Sequence, residues 1–309
     1  MTRSLERDFP NDRNVIANNC SVKSFALHLL SASAVIVPNM THNVIDFRAW
    51  AQARSRRRHP STWLPQPPPT AITDRSPAAL WRADFEVHAD QHAEVTTAGM
   101  WILAPVVDRA LRTSLPIFQI GEIGTGLHLL DEACGIVSED HLQALRLFVI
   151  ETQEHARLLA LVCAALEIEM LDEHWTEQAF RTTRYLRGFR VEMLAIVLAA
   201  TISAQVYEAI ALGVGDPTLM RIFHRLHADE LRHLEFHAAT FPDHLDRLPR
   251  HTSAAIQTAW LACGVAATVA VAVEHRRLFR ACGSGPLRFT LHAVRALRAQ
   301  NTRLFRRPR

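Results

Sequence analysis

His227-Ala-Asp-Glu-Leu-Arg-His233 is the stretch on which the reading of this chain turns. Glu230 and His233 stand three apart inside an apolar-periodic segment, so on a helix both side chains leave one face and aim at one point. A carboxylate and an imidazole placed that way suit a metal ion held inside a helix bundle. Taken alone, Glu-x-x-His on a helix is more often solvated surface than ligand, and its weight depends on what the neighbouring segments carry.

The surroundings of that stretch are helical. The chain has 309 residues, 49% hydrophobic and 21% charged, enough for one large domain with extensions. Two tyrosines, eleven glycines and long Ala/Leu/Arg-rich segments with apolar positions three and four apart predict an all-α fold. Residues 1–75 show no clear periodicity and end in a Pro/Arg-rich linker containing Pro67-Pro68-Pro69, which reads as a disordered arm. Residues 76–245 are expected to form the helical body, and 246–309 an apolar helix with an arginine-rich tail.

Within the body, the first helix is predicted from the Ser76-Pro77 cap to about Leu111 with a kink at Pro105, and the second from about Leu115 to Glu132. The third runs from Ser138 to about Leu166, the fourth from about Trp175 to Leu212. A turn at Gly213-Val-Gly215-Asp216-Pro217 leads into the fifth, Thr218 to Ala239. The last four form two hairpins, and distance from each turn tests which polar residues lie level. Glu122 precedes the first turn by about as many residues as Glu151 and His155 follow it, which at about 1.5 Å per residue brings the three within one or two helical turns in height. In the second hairpin the partner of Glu230 should lie near Ala199, Ala200 or Thr201, and no carboxylate is there.

With Glu122, Glu151-Thr-Gln-Glu154-His155 and Asp229-Glu230-Leu-Arg-His233 assembled, the stretch from about Leu115 to Pro242 resembles the ferritin-like di-iron superfamily. The resemblance implies a ferritin-like four-helix bundle with an extra N-terminal helix and a C-terminal apolar helix. The family's pattern is one Glu, then Glu-x-x-His, then one Glu, then Glu-x-x-His on successive helices. It makes Glu122, His155, Glu230 and His233 metal ligands, and implies one or two iron ions, or manganese, working as an oxidase or oxygenase on a small molecule. The chain departs from the pattern twice: Thr152 stands where the second-helix Glu belongs, and Ala200 where the third-helix Glu belongs. Glu151, four residues before His155, is the nearest substitute and leaves open whether a third carboxylate ligates. Asp229 resembles the acid that holds the opposite histidine's outer nitrogen. With fewer carboxylates than a two-iron box uses, a second ion binds weakly, and a bundle without its chemistry, acting as a binding or scaffold protein, is the alternative.

Other signals bound the rest. The net charge of +3 is dispersed through the body, giving no nucleic-acid footprint. Five separated cysteines form no Cys-x-x-Cys pair, which fits a reducing cytoplasm. Gly121-Glu-Ile-Gly124-Thr-Gly126 lacks the spacing of a phosphate loop and reads as close helix packing. The uncharged run Ala254 to Val273 is long enough to cross a bilayer, but its eight alanines favour a helix buried on the bundle over a span. Membrane association through residues 254–309 is therefore open but disfavoured, and the arginine-rich tail fits an anionic surface, a partner or a plain exposed helix. A homodimer is compatible with all of this.

Overall fold

The computed structural model describes residues 76–91, 101–124, 126–185 and 188–306, and the arm and linker expected over 1–75 lie outside them. The described residues are all-helical, with no strand among them. In chain order the helices are α1 (Pro77–Gln91), α2 (Pro105–Glu122), α3 (Leu127–Ala133), α4 (Glu139–Ala165), α5 (Trp175–Tyr185), α6 (Phe189–Gly213) and α7 (Pro217–Thr240). These are followed by α8 (Pro242–Asp246), α9 (Arg250–Glu274), α10 (Arg276–Ala281) and α11 (Pro286–Leu304).

Three starts follow the sequence signals. Ser138 accepts the His141 N–H at α4, Asp216 accepts the Thr218 and Leu219 N–H groups at α7, and Ser76 accepts the Ala79 N–H at α1. Three boundaries differ. Pro105 does not kink a long first helix; it opens α2 from the first turn, where its missing N–H costs nothing. Leu111 to Leu115 is then continuous helix, and the expected second helix breaks after Glu122 instead. The break turns on Gly126, at φ +67°, where a Cβ would lie 2.4 Å from Val149 Cγ1 on α4. Close packing, the reading given to this glycine-rich run, thus holds at Gly126, while nothing approaches Gly121. The expected fourth helix is likewise two, α5 and α6, with Gly188 at φ +78° just before α6.

α1 and α2 both pack along α4, α6 pairs extensively with α7, and α11 lies against α6 and α9. The buried apolar residues form two clusters. One contains Leu111, Leu158, Ile210 and Phe223; the other contains Phe148, Met193, Phe236 and Phe241. Along α4 the second cluster ends at Val149 and the first begins at Leu158, and along α7 the first ends at Leu226 and the second begins at Leu234. Residues 151–155 and 229–233 fall between them, in a polar layer inside an apolar body. Ala200 and Thr201 of α6 stand at the same junction, since residues up to Ala200 belong to one cluster and those from Ile202 to the other. α6 and α9 are both long and apolar enough to cross a membrane; 67% of the most apolar window of α6 is buried, against 22% for α9.

Candidate metal centre

Two imidazoles face one carboxylate in the polar layer. His155 Nδ1 lies 3.6 Å from Glu230 Oε1 and His233 Nδ1 lies 3.7 Å from Glu230 Oε2. All three residues are buried, with His155 at 0% exposure. Each can offer a ligand atom within 4.8 Å of the others. Two atoms bonded to one ion at about 2.1 Å sit roughly 3.0 to 3.4 Å apart, so these gaps are near what an ion would close. His155 Nδ1 makes no hydrogen bond at all, and a buried nitrogen left without a partner is costly unless something else fills that role.

The outer nitrogens are held reciprocally. His155 on α4 donates from Nε2 to Asp229 Oδ2 on α7 at 3.4 Å, and His233 on α7 donates from Nε2 to Glu151 Oε2 on α4 at 2.8 Å. Asp229 stands four residues before His233, and Glu151 four before His155. Each helix therefore supplies one inward histidine and one carboxylate that orients the other helix's histidine, the arrangement that fixes ring direction at metal sites. Asp229 takes the role expected for it. Glu151 corresponds to Asp229 rather than to Glu230, and it is Thr152 that occupies the inward carboxylate position on α4. Thr152 instead donates its hydroxyl to its own helix, at Phe148 O.

Glu151 is further fixed by Arg232, whose Nη2 lies 2.5 Å from both carboxylate oxygens. Arg232 also reaches Asp229 at 3.3 Å and Asp84 of α1 at 3.2 Å. Phe85, one residue on, sets its ring 6.1 Å from that of His233 and 5.2 Å from that of Phe236. α1 thus covers the flank of the centre. Sequence reasoning missed Arg232 and Asp84 because neither has a spacing signal; only the meeting of α1 with α7 pairs them. Glu154 turns to Arg157, at 2.7 and 2.6 Å, as a residue adjacent to an inward histidine should.

Glu122 ends α2 beside the cluster and is half-buried; its Oε1 accepts the Tyr207 hydroxyl at 2.7 Å. Glu192, eight residues before Ala200 on α6, is bonded to His128 at 2.7 Å. His227 bonds the Ala204 carbonyl at 2.8 Å and His224 is exposed. His237 is fully buried, one turn beyond His233 and edge-on to Phe148, with neither ring nitrogen hydrogen-bonded.

The electrostatics follow from this packing. Burial opposes charge on Glu230, but the two imidazoles outweigh it and carry its carboxyl down to about 2. Burial likewise opposes charge on His155, yet Asp229 and Glu230 raise it to about 10, and His233 is raised by Glu151 and Glu230 against the same penalty. Glu122 goes the other way, up to about 7, through burial and then the charge of Glu230. Both inward imidazoles are thus shifted toward the protonated form, and a divalent cation that displaced one proton from each would leave the total charge of the cluster unchanged. No family model, curated protein or solved structure matches this chain.

Proposed function

We propose that this chain is a ferritin-like, metal-dependent oxidase or oxygenase whose helix bundle holds one divalent ion, iron or manganese, between α4 and α7. The observation that carries the reading is His155 Nδ1, which makes no hydrogen bond and faces a carboxylate shared with His233 Nδ1, in a polar layer between two apolar clusters. His155, Glu230 and His233 would hold the ion; two imidazoles and one carboxylate with open positions are the donor set of mononuclear non-haem iron, which supplies oxygen activation for oxidation of a small substrate. Asp229 and Glu151 keep both rings aimed inward. Glu122, pushed up to about 7 and bonded to Tyr207, is poised to hold or give up a proton beside the centre. Thr152 and Ala200 leave a second ion short of carboxylates, so one ion is the expected count.

The alternative is a bundle that binds or scaffolds without metal, and one observation favours it: Arg232 already neutralises Glu151 and Asp229, so much of the network is satisfied by the protein's own groups. Metal content after anaerobic Fe(II) loading separates the two. About one iron per chain in the wild type, lost in His155→Ala and Glu230→Ala, supports the enzyme reading. Iron content that is negligible, or equal in all three proteins, selects the alternative.

A further inference from the structure

From His275 to Arg309 the chain carries ten arginines and no aspartate or glutamate. The surface that residues 275–306 build is mixed rather than merely basic. α9 and α11 pack together with Gly264 against Leu297, and because the six-residue α10 is too short to carry the chain back along α9, the two run antiparallel. Val273 lies nine residues on from Gly264 and Leu287 ten back from Leu297, about 14 and 15 Å along the two axes at ~1.5 Å per residue, so both come to the same end of the pair. Four large apolar side chains stand out to solvent there: Leu287 at 73% exposure, Leu291 at 51%, Val273 at 48% and Val269 at 45%.

Basic groups interleave with them. Leu287, Arg288, Leu291, His292 and Arg295 line an open hollow of about 430 Å³ at the start of α11. The spacings i, i+1, i+4, i+5 and i+8 put all five on one helical face, opposite the buried Phe289, Ala293 and Leu297. No acidic residue lies in α10 or α11 to balance the arginines, and Arg303, farther along, is engaged with Glu235.

We propose that this end of the α9/α11 pair is a docking face for an anionic phospholipid surface. Leu287 and Leu291 enter the boundary between headgroups and acyl chains, while Arg288, His292 and Arg295 meet lipid phosphate from the hollow. Arginine stems lie along apolar surface while the guanidinium stays in the polar zone, so leucines and arginines at one depth suit a membrane interface. A nucleic acid would use the charges but gain nothing from the leucines. The contact is peripheral; neither helix crosses the bilayer, and it is independent of the metal reading.

Co-sedimentation of the full chain with phosphatidylcholine vesicles, with and without phosphatidylserine, tests it. Each arginine near an anionic surface contributes about 1 kcal/mol, so Arg288 and Arg295 predict binding roughly thirtyfold tighter to the phosphatidylserine vesicles. Arg288→Glu with Arg295→Glu abolishes that preference, and Leu287→Glu with Leu291→Glu weakens binding at least tenfold. All four sites are exposed, and an unchanged melting temperature confirms intact folding. Equal partition to both vesicle types, no sedimentation, or full binding by the leucine variant overturns the proposal. So does a duplex oligonucleotide that strips the protein from vesicles and binds the leucine variant as tightly as the wild type.

Discussion

Arg232 carries more of the centre's fixed charge than any histidine, because it cannot give up its proton and sits among Glu151, Asp229 and Asp84. Replacing it with methionine leaves Glu151, buried at 4% exposure, without its guanidinium partner, and breaking a buried pair from one side costs about 3 to 5 kcal/mol. Urea unfolding of Arg232→Met should show a loss of that size; a change under about 1 kcal/mol would mean that solvent reaches Glu151. Asp229→Asn tests orientation rather than stability: with its outer partner weakened, His155 should still bind metal at one per chain but about 10- to 100-fold more weakly. The same charges set a pH window for the metal-free protein. Glu230, lowered to about 2, contributes stability that is present above about 4.5 and lost as pH falls toward 2. His155, raised to about 10, contributes stability present below about 6.5 and lost as pH rises toward 10. Both contributions are complete between about pH 4.5 and 6.5. Glu230→Gln should therefore flatten both limbs of the stability profile measured by chemical unfolding from pH 3 to 9, and an unaltered profile would show that the cluster is not charged as described.

At the scale of elements, what was legible in the sequence was what short-range chemistry dictates. The caps of α4 and α7, the length of α7 and the helical class all follow from residues adjacent in the chain. Glu230 and His233 share a face because three residues of helix put them there. Two of the misplaced breaks share a feature: Ile123 to Gly126 and the stretch before Phe189 look helical by periodicity, and a glycine in the left-handed region, Gly126 or Gly188, precedes the next helix, Gly126 with its backbone against Val149 of α4. The role of Glu151 was hidden for a similar reason. Its spacing to His155 is visible, but its partner, His233, lies 82 residues away on α7. Gly126→Ala makes the point measurable. Its Cβ would overlap both Val149 methyls, at 2.4 and 2.5 Å, on a backbone at φ +67° that alanine disfavours. Overpacking and the left-handed conformation together should cost about 2 to 5 kcal/mol in denaturant unfolding. Adding Val149→Ala should recover part of that loss, while strict additivity of the two would mean that the α2–α3 break does not depend on α4.

Across the whole molecule, the centre and the C-terminal helices are built on different parts of one body. The centre lies between α4 and α7 with α1 over its flank, whereas α10 and the first half of α11, to Ala293, pack into the first apolar cluster, where Phe279 stacks on Phe289 at 4.0 Å. Cutting Phe289 to alanine should cost about 3 to 5 kcal/mol of global stability, because a buried aromatic ring is replaced by a void. Metal acts by mass action instead: an ion held only by the folded state, at a hundred times its dissociation constant, adds about 2.7 kcal/mol whatever the starting stability. Effects at sites that share no side chain add. Denaturant midpoints of wild type and Phe289→Ala, each with a chelator and with saturating Mn(II), should thus show the same metal increment in a wild-type and a weakened background. An increment that shrinks in Phe289→Ala would mean that the arginine-bearing helices and the buried histidines are coupled, through α6 or the direct contacts of α11 with α7, and that a partner docked on the first would be felt by the second.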